Sequence, residues 1–134
     1  MTKLEEIEGI GRVYAEKLRE AGVASTSALL EIGATSKGRK DLARRSSISE
    51  KLILKWVNHV ELFRVRGIGS EYADLLEEAG VDTVRELAQR KAENLYQKLI
   101  MVNEKKRIVR RAPTQDQVRD WIIQAKHLPG LISY

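Results

Sequence analysis

The sequence predicts an all-α fold of two repeats, each of about five short helices, packed as one compact unit. Three observations predict it. The stretch from Ile7 to Val23 returns from Val65 to Val81, 58 positions later, with both glycines of a Gly-Ile-Gly turn, a Tyr-Ala pair, a leucine and a closing Ala-Gly-Val in register. Self-similarity at a fixed offset is the signature of a repeat architecture. Apolar residues elsewhere recur at helical spacing, and no segment alternates as a strand would. Aromatic residues are sparse at 5%, prolines number two, and Leu, Ala, Glu, Lys and Arg are abundant, a composition that favours helices. The repeats divide the chain at 1–64 and 65–134. No Gly-, Pro- or Ser-rich linker lies between them, and neither five-helix unit covers its apolar faces alone. They are therefore expected to pack together, as one single compact domain.

The elements follow in order. Thr2 and Glu5 have capping-box form and open a very short helix that Gly9 interrupts. A second helix runs from about Arg12 to Ala21, with Val13, Leu18 and Ala21 as its apolar stripe, and Gly22 stops it. Ser25 caps a third helix carrying Leu29, Leu30 and Ile32, which ends at Gly33. Ser36 to Arg45 reads as a short basic helix with Leu42 and Ala43 inward. Ser49 caps a longer one with Leu52, Ile53, Trp56, Val57, Val60 and Phe63 at helical spacing. In the second copy Gly80 is the stop, and Thr83 with Glu86 forms a capping box for Val84 and Leu87. A helix from about Ala92 carries Leu95, Leu99, Val102 and Ile108. Pro113 breaks the chain, Thr114 and Gln117 box the last helix, and Val118, Trp121, Ile122 and Ala125 form its apolar face before Pro129-Gly130. Trp56 and Trp121 each fall seven residues after their cap, so the repeat spans all five elements.

Composition narrows the function classes. The chain of 134 residues has no cysteine, which excludes disulfides and thiolate metal sites and makes a cytoplasmic protein the expectation. No leader is visible after Met1, and no apolar run approaches the ~20 residues a membrane span needs. A net charge of +5 and a pI near 9.6 permit a polyanionic partner.

The Gly-Ile-Gly turns carry the chemistry. Glycines let the backbone take positive φ and put no side chain in the way of a ligand. Each turn opens a helix, whose first N–H groups lack partners and whose dipole is positive there. A short helix, Gly-hydrophobic-Gly and a helix with Ala four residues after the second Gly resemble the helix-hairpin-helix motif, over Leu4 to Val23 and Leu62 to Val81. The resemblance implies loop amides that contact nucleic-acid phosphates without reading sequence, and a tandem pair that grips both strands across a minor groove. A dinucleotide fingerprint is excluded, because Tyr14 and Tyr72 stand where its third glycine belongs and no strand precedes either turn. The whole chain further resembles the tandem helix-hairpin-helix proteins of domain-of-unknown-function family 4332. The residues that carry this are Tyr72 to Leu76, Ala79 to Val84, and Arg110-Arg111-Ala112-Pro113-Thr114 through Val118, Trp121 and Ala125-Lys126. It implies an all-helical double repeat and carries no activity or catalytic residues.

The candidate nucleic-acid contacts are Gly9, Ile10, Gly11, Arg12 and Lys17 at the first turn, and Arg66, Gly67, Ile68, Gly69 and Ser70 at the second. Arg12 and Lys17 favour phosphate, whereas Glu8 opposes it. At the second turn Glu71 competes for the N–H groups an anion would use. Two basic clusters accompany the turns. Lys105, Lys106, Arg107, Arg110 and Arg111 extend the candidate surface; Lys37, Arg39, Lys40, Arg44 and Arg45 read more readily as a solvated helix face. Trp56 and Trp121 are expected in the core, with Tyr14 and Tyr72 bracing the hairpins. His59 and His127 stand alone in sequence, so no metal set, no cofactor and no catalytic constellation is expected. The expected function is a non-enzymatic module that holds the backbone of double-stranded DNA or another nucleic acid without sequence specificity. The competing expectation is a protein-interaction scaffold whose partner is another protein. The oligomeric state is left open.

Overall fold

A computed structural model of the chain describes residues 3–134. The capping role expected of Thr2 lies outside these residues. Among the described residues the chain is all helical, with eight α-helices, one opening 3-10 turn and no strand. No described helix is long and apolar enough to cross a membrane. The chain divides into two units: unit 1 is the described chain up to Glu61 together with Leu131–Tyr134, and unit 2 is Leu62–Gly130.

Unit 1 begins with the 3-10 turn Leu4–Glu6 and continues through α1 (Gly11–Glu20), α2 (Thr26–Gly33), α3 (Ser36–Ser46) and α4 (Glu50–Leu62). Leu4, Ile7 and Ile10 follow at a spacing of three and are all buried. Their backbones make successive tight turns, Ile7 N–H to Leu4 C=O at 3.0 Å and Ile10 N–H to Ile7 C=O at 3.3 Å. The chain thus reaches the glycine turn with three apolar plugs already seated. Helix α1 buries Ala15 and Leu18 and packs on the opening turn and on α3. It ends in a six-to-one closure, Val23 N–H to Leu18 C=O at 2.8 Å, with Gly22 N–H on Arg19 C=O at 3.0 Å, which satisfies two otherwise orphaned carbonyls. Val13, expected in the apolar stripe, is 67% exposed. It lies five residues from Leu18, off the three- and four-residue spacing that keeps side chains on one helix face.

Side-chain caps set the other starts. The Ser25 hydroxyl accepts from Ala28 N–H at 3.1 Å and that of Ser49 from Leu52 N–H at 3.2 Å, as expected. Helix α3 is capped by Thr35, which accepts from Gly38 N–H at 3.0 Å.

Unit 2 repeats the entry: Val65 N–H bonds to Leu62 C=O and Ile68 N–H to Val65 C=O, both at 3.1 Å, again with all three side chains buried. Then come α5 (Ser70–Glu78), α6 (Val84–Ala88), α7 (Ala92–Lys106) and α8 (Gln115–Lys126). Helix α5 closes as α1 does, Val81 N–H to Leu76 C=O at 2.8 Å. Helix α8 packs across α6 and α7, and α5 packs on α7. They enclose a core that includes Leu75, Leu76, Leu87, Leu99, Val118 and Trp121. Thr114 and Gln117 form the full reciprocal capping box. Thr83 accepts from Glu86 N–H, but the Glu86 carboxylate meets the Thr83 hydroxyl at 3.2 Å. Ile108 is not in a helix: α7 ends at Lys106, and Arg107 turns left-handed at φ 49°.

Both units place the hairpin tyrosine on the buried tryptophan. Tyr14 and Trp56 have ring centroids 5.2 Å apart at 58°, and Tyr72 and Trp121 are 5.1 Å apart at 54°. This is the tilted geometry aromatic quadrupoles prefer, worth about 0.5–1.5 kcal/mol beyond area burial.

The turns themselves differ. Gly9 and Gly11 are at φ +88° and +64°, and Gly67 is at +96°, but Gly69 is at −101°. The positive φ expected at Gly69 is absent because Gly69 already serves as the extended N-cap of α5, whereas α1 starts one position earlier, on Gly11 itself. A Cβ on Gly67 would also meet Trp121 Nε1 at 2.9 Å, while one on Gly69 or Gly11 meets nothing within 4 Å. Gly67→Ala is therefore expected to cost more than the ~1–2 kcal/mol of left-handed backbone strain alone. Gly11→Ala should cost about that strain, and Gly69→Ala should cost under ~0.5 kcal/mol. Thermal melts of the three variants check the order; equal melting temperatures for Gly67→Ala and Gly69→Ala would contradict it.

Candidate nucleic-acid interface

The first turn presents an open helix start. No side chain caps α1, so its first-turn N–H groups have no side-chain acceptor. Ile10 is buried and serves the core, leaving only its backbone at the turn. The Arg12 side chain is 89% exposed and pairs with Glu16 at 3.3 Å across one helical turn, a contact too weak and too exposed to hold it. Lys17 lies with Nζ 5.9 Å from the Tyr14 ring centre, covering that ring on the flank of the hairpin. Glu8 and Gly9 are exposed. Gly9, Gly11 and Arg12 thus stand together at one accessible helix start, with Lys17 beside them.

The second turn is built from the same residues but is tied down. Arg66 N–H donates to Gln124 Oε1 at 2.8 Å, and Gln124 Nε2 donates to Arg66 C=O at 3.0 Å. Ile68 is buried. Helix α5 also lacks a side-chain cap, but its first turn carries Glu71. The Ser70 hydroxyl oxygen is buried without a hydrogen-bond partner. Gly67 sits over Trp121, and Gly69 is extended.

The second basic cluster flanks this turn. Tyr72 Oη donates to Arg111 C=O at 3.0 Å, drawing the α7–α8 connection onto α5. Arg107 and Arg110 line one shallow hollow with Glu71 and Asn103. Lys106 is paired with Glu78, and Lys105 is exposed on the last turn of α7. The first turn of α5, at Glu71 and Tyr72, is therefore the part of this hairpin that meets the stretch Arg107 to Arg111.

The first basic cluster has other duties. Arg39 is 3% exposed. It donates to Gly33 C=O at 2.9 Å and to Ser133 C=O at 2.8 Å, and its guanidinium lies 5.6 Å from the Tyr134 ring centre. Ser133 N–H in turn donates to Ala34 C=O at 2.7 Å, Tyr134 Oη reaches Asn58 at 3.2 Å, and Leu131 N–H donates to Glu61 at 3.0 Å. Arg39 is a clasp for the Leu131–Tyr134 segment, not a surface cation. Arg44 and Arg45 both pair with Asp41, and Arg45 also donates to Ala21 C=O. Lys37 and Lys40 remain exposed.

One ion pair bridges the arms of the first hairpin. Arg19 Nη2 on α1 lies 2.7 Å from Glu5 Oε1 on the opening turn. The hydrogen bond from Arg19 holds the Glu5 carboxyl below its ordinary 4.5 and raises the guanidinium of Arg19 in return.

Sequence reasoning missed Gln124, Asn103 and the burial of Arg39. A signal for the first existed: Gln124 follows Trp121 by three residues, as His59 follows Trp56, and His59 is buried. A polar residue at that matched place on an apolar face has a structural task. Arg39, by contrast, is masked by the basic residues around it.

These features define an all-helical protein with two glycine turns, each leading into a helix that is locked by a Tyr–Trp pair, and with arginines beside both. The chain belongs to the DUF4332 family, a domain of unknown function, whose sequence model matches residues 8–128. No curated protein and no solved structure matches it.

Two outcomes follow. Arg39→Lys should destabilise the chain by about 1–3 kcal/mol in denaturant unfolding, because an ammonium cannot span two carbonyls that a planar fork reaches together. An unchanged midpoint would mean the clasp is idle. For Glu5, the folded carboxyl is more acidic than the unfolded one, so the pair stabilises above pH 4.5 and the gain fades as pH falls through the lowered value. Glu5→Gln should thus melt below the parent at neutral pH and converge with it in acid; a gap independent of pH would rule this out.

Proposed function

We propose that the chain is a non-enzymatic module of the helix-hairpin-helix kind that holds the phosphate backbone of duplex DNA, with little sequence preference, through its first glycine turn. The observation that carries this reading is the open start of α1. Its first-turn N–H groups have no capping side chain, two glycines at positive φ keep the approach clear, and an exposed Arg12 stands beside them. Backbone donors, a positive helix end and an exposed guanidinium held only by a surface pair with Glu16 suit a phosphodiester oxygen. They carry no information about base identity, since phosphate contacts position a protein without specifying a sequence. The net charge of +5 supports the same partner at longer range.

The test is a salt titration of labelled duplex DNA, single-stranded DNA and RNA against the full chain. Affinity for the duplex should fall linearly on a log–log plot against salt, by about 0.9 per phosphate engaged. Arg12→Glu should weaken duplex binding about tenfold at low salt, by the same margin for unrelated sequences, and should lower the slope by about one. Absence of binding to all three nucleic acids at low ionic strength would overturn the proposal and leave the scaffold function as the better account.

A further inference from the structure

We propose that in unit 2 the phosphate contact has moved from the glycine turn to the α7–α8 connection, where Arg107 and Arg110 are the contacting cations and Asn103 is the positioning residue. This rests on the nucleic-acid function above and assigns its second contact. Three features of unit 2 point to it.

The glycine turn is spoken for. Both backbone groups of Arg66 are engaged by the Gln124 amide, and Glu71 occupies the first turn of α5. A carboxylate there takes the place an anion would use.

The connection is longer where cations are needed. Between α3 and α4 only Ser47, Ile48 and Ser49 intervene, whereas α7 and α8 are joined by the stretch from Arg107 to Thr114. The added length includes three arginines. It lies beside the hairpin, because Tyr72 Oη holds Arg111 C=O at 3.0 Å and Arg107 and Arg110 share a hollow with Glu71.

The connection is also built, not loose. The Asn103 amide brackets Val109, accepting from its N–H at 2.9 Å and donating to its C=O at 3.2 Å, while Asn103 C=O accepts from Arg107 N–H at 2.8 Å. Val109 is buried. Arg107 closes α7 in the left-handed conformation, φ 49°, as Ser47 closes α3 at φ 60°. Two arginines lining one open hollow can supply guanidiniums to the paired oxygens of a phosphodiester. Glu71 moderates them, so affinity is set below what two free arginines would give.

Labelled duplex DNA titrated at several salt concentrations tests this in the full chain, with Arg12→Glu measured in parallel. Arg107→Glu with Arg110→Glu should weaken binding at least tenfold and lower the salt slope by about two. Asn103→Ala should lower both affinity and slope, a change that loss of stability alone does not produce. Arg107→Gly keeps the test valid should the charge reversals unfold the chain. Glycine accepts φ 49° without strain, so this variant should melt no lower than the parent yet bind several-fold more weakly. If Arg12→Glu weakens binding while the Arg107 and Arg110 variants bind as the parent does, the relocated contact is wrong and the nucleic-acid function stands. If no variant changes affinity, or the parent does not bind, both fall.

Discussion

Trp121 is the residue on which unit 2 depends. Its indole is buried in the core, its ring receives Tyr72, and its Nε1 lies directly beneath Gly67. One turn further along the same helix, Gln124 holds the backbone of Arg66. A single helix face therefore fixes both sides of the hairpin: the turn through Gly67 and Arg66, and the following helix through Tyr72. Glycine at 67 is required from two directions, by its φ of +96° and by the indole against it. In unit 1 the same tyrosine–tryptophan contact recurs at nearly the same distance and angle, so the brace belongs to the architecture and the details beneath it vary. Close-packed interiors permit this, because a shared contact of fixed shape tolerates little change while its polar neighbours are free to differ.

Much of this was legible in the sequence because it is local or periodic. The 58-residue offset places Leu4 with Leu62, Ile7 with Val65 and Ile10 with Ile68, and all six side chains are buried as their spacing requires. Ser25 and Thr114 cap where a short polar residue precedes an apolar run. Less was legible at the turns. Gly11 and Gly69 are the same residue in the same motif, yet one is at φ +64° and the other at −101°, because the helix start has shifted by one residue. In sequence Arg39 is one of several cations on a basic helix. Its burial depends on Ser133, ninety-four positions away, and no pattern within a helix reports a contact of that separation. Gln124 and Asn103 were equally silent, since an amide that clamps a backbone looks in sequence like any solvated amide.

The electrostatics of the two hairpins diverge for a reason that the packing supplies. Both α1 and α5 begin without a side-chain cap, and a helix start in that condition must find acceptors in water, in a ligand or in its own first-turn carboxylates. Helix α1 has no acidic residue in its first turn and keeps an exposed arginine; helix α5 carries Glu71. An internal carboxylate stabilises a helix start by about 0.3–1 kcal/mol and removes the incentive to bind an external anion. Unit 2 has taken the intrinsic stabilisation, so the start of α5 offers an external anion less than the start of α1 does.

That trade leaves the placement of charge to be decided by whatever packs beside the hairpin. In unit 1 the neighbouring connection is three residues long and uncharged. In unit 2 it holds three arginines whose backbone is fixed by Asn103 and Tyr72. A connection whose backbone is already ordered has met the loop-ordering cost during folding, whereas its exposed arginine side chains keep their own rotamer entropy. The left-handed Arg107, φ 49°, does not itself mark this ordering, because Ser47 ends α3 the same way at φ 60°; what distinguishes unit 2 is the Asn103 amide on Val109 and the Tyr72 hydroxyl on Arg111.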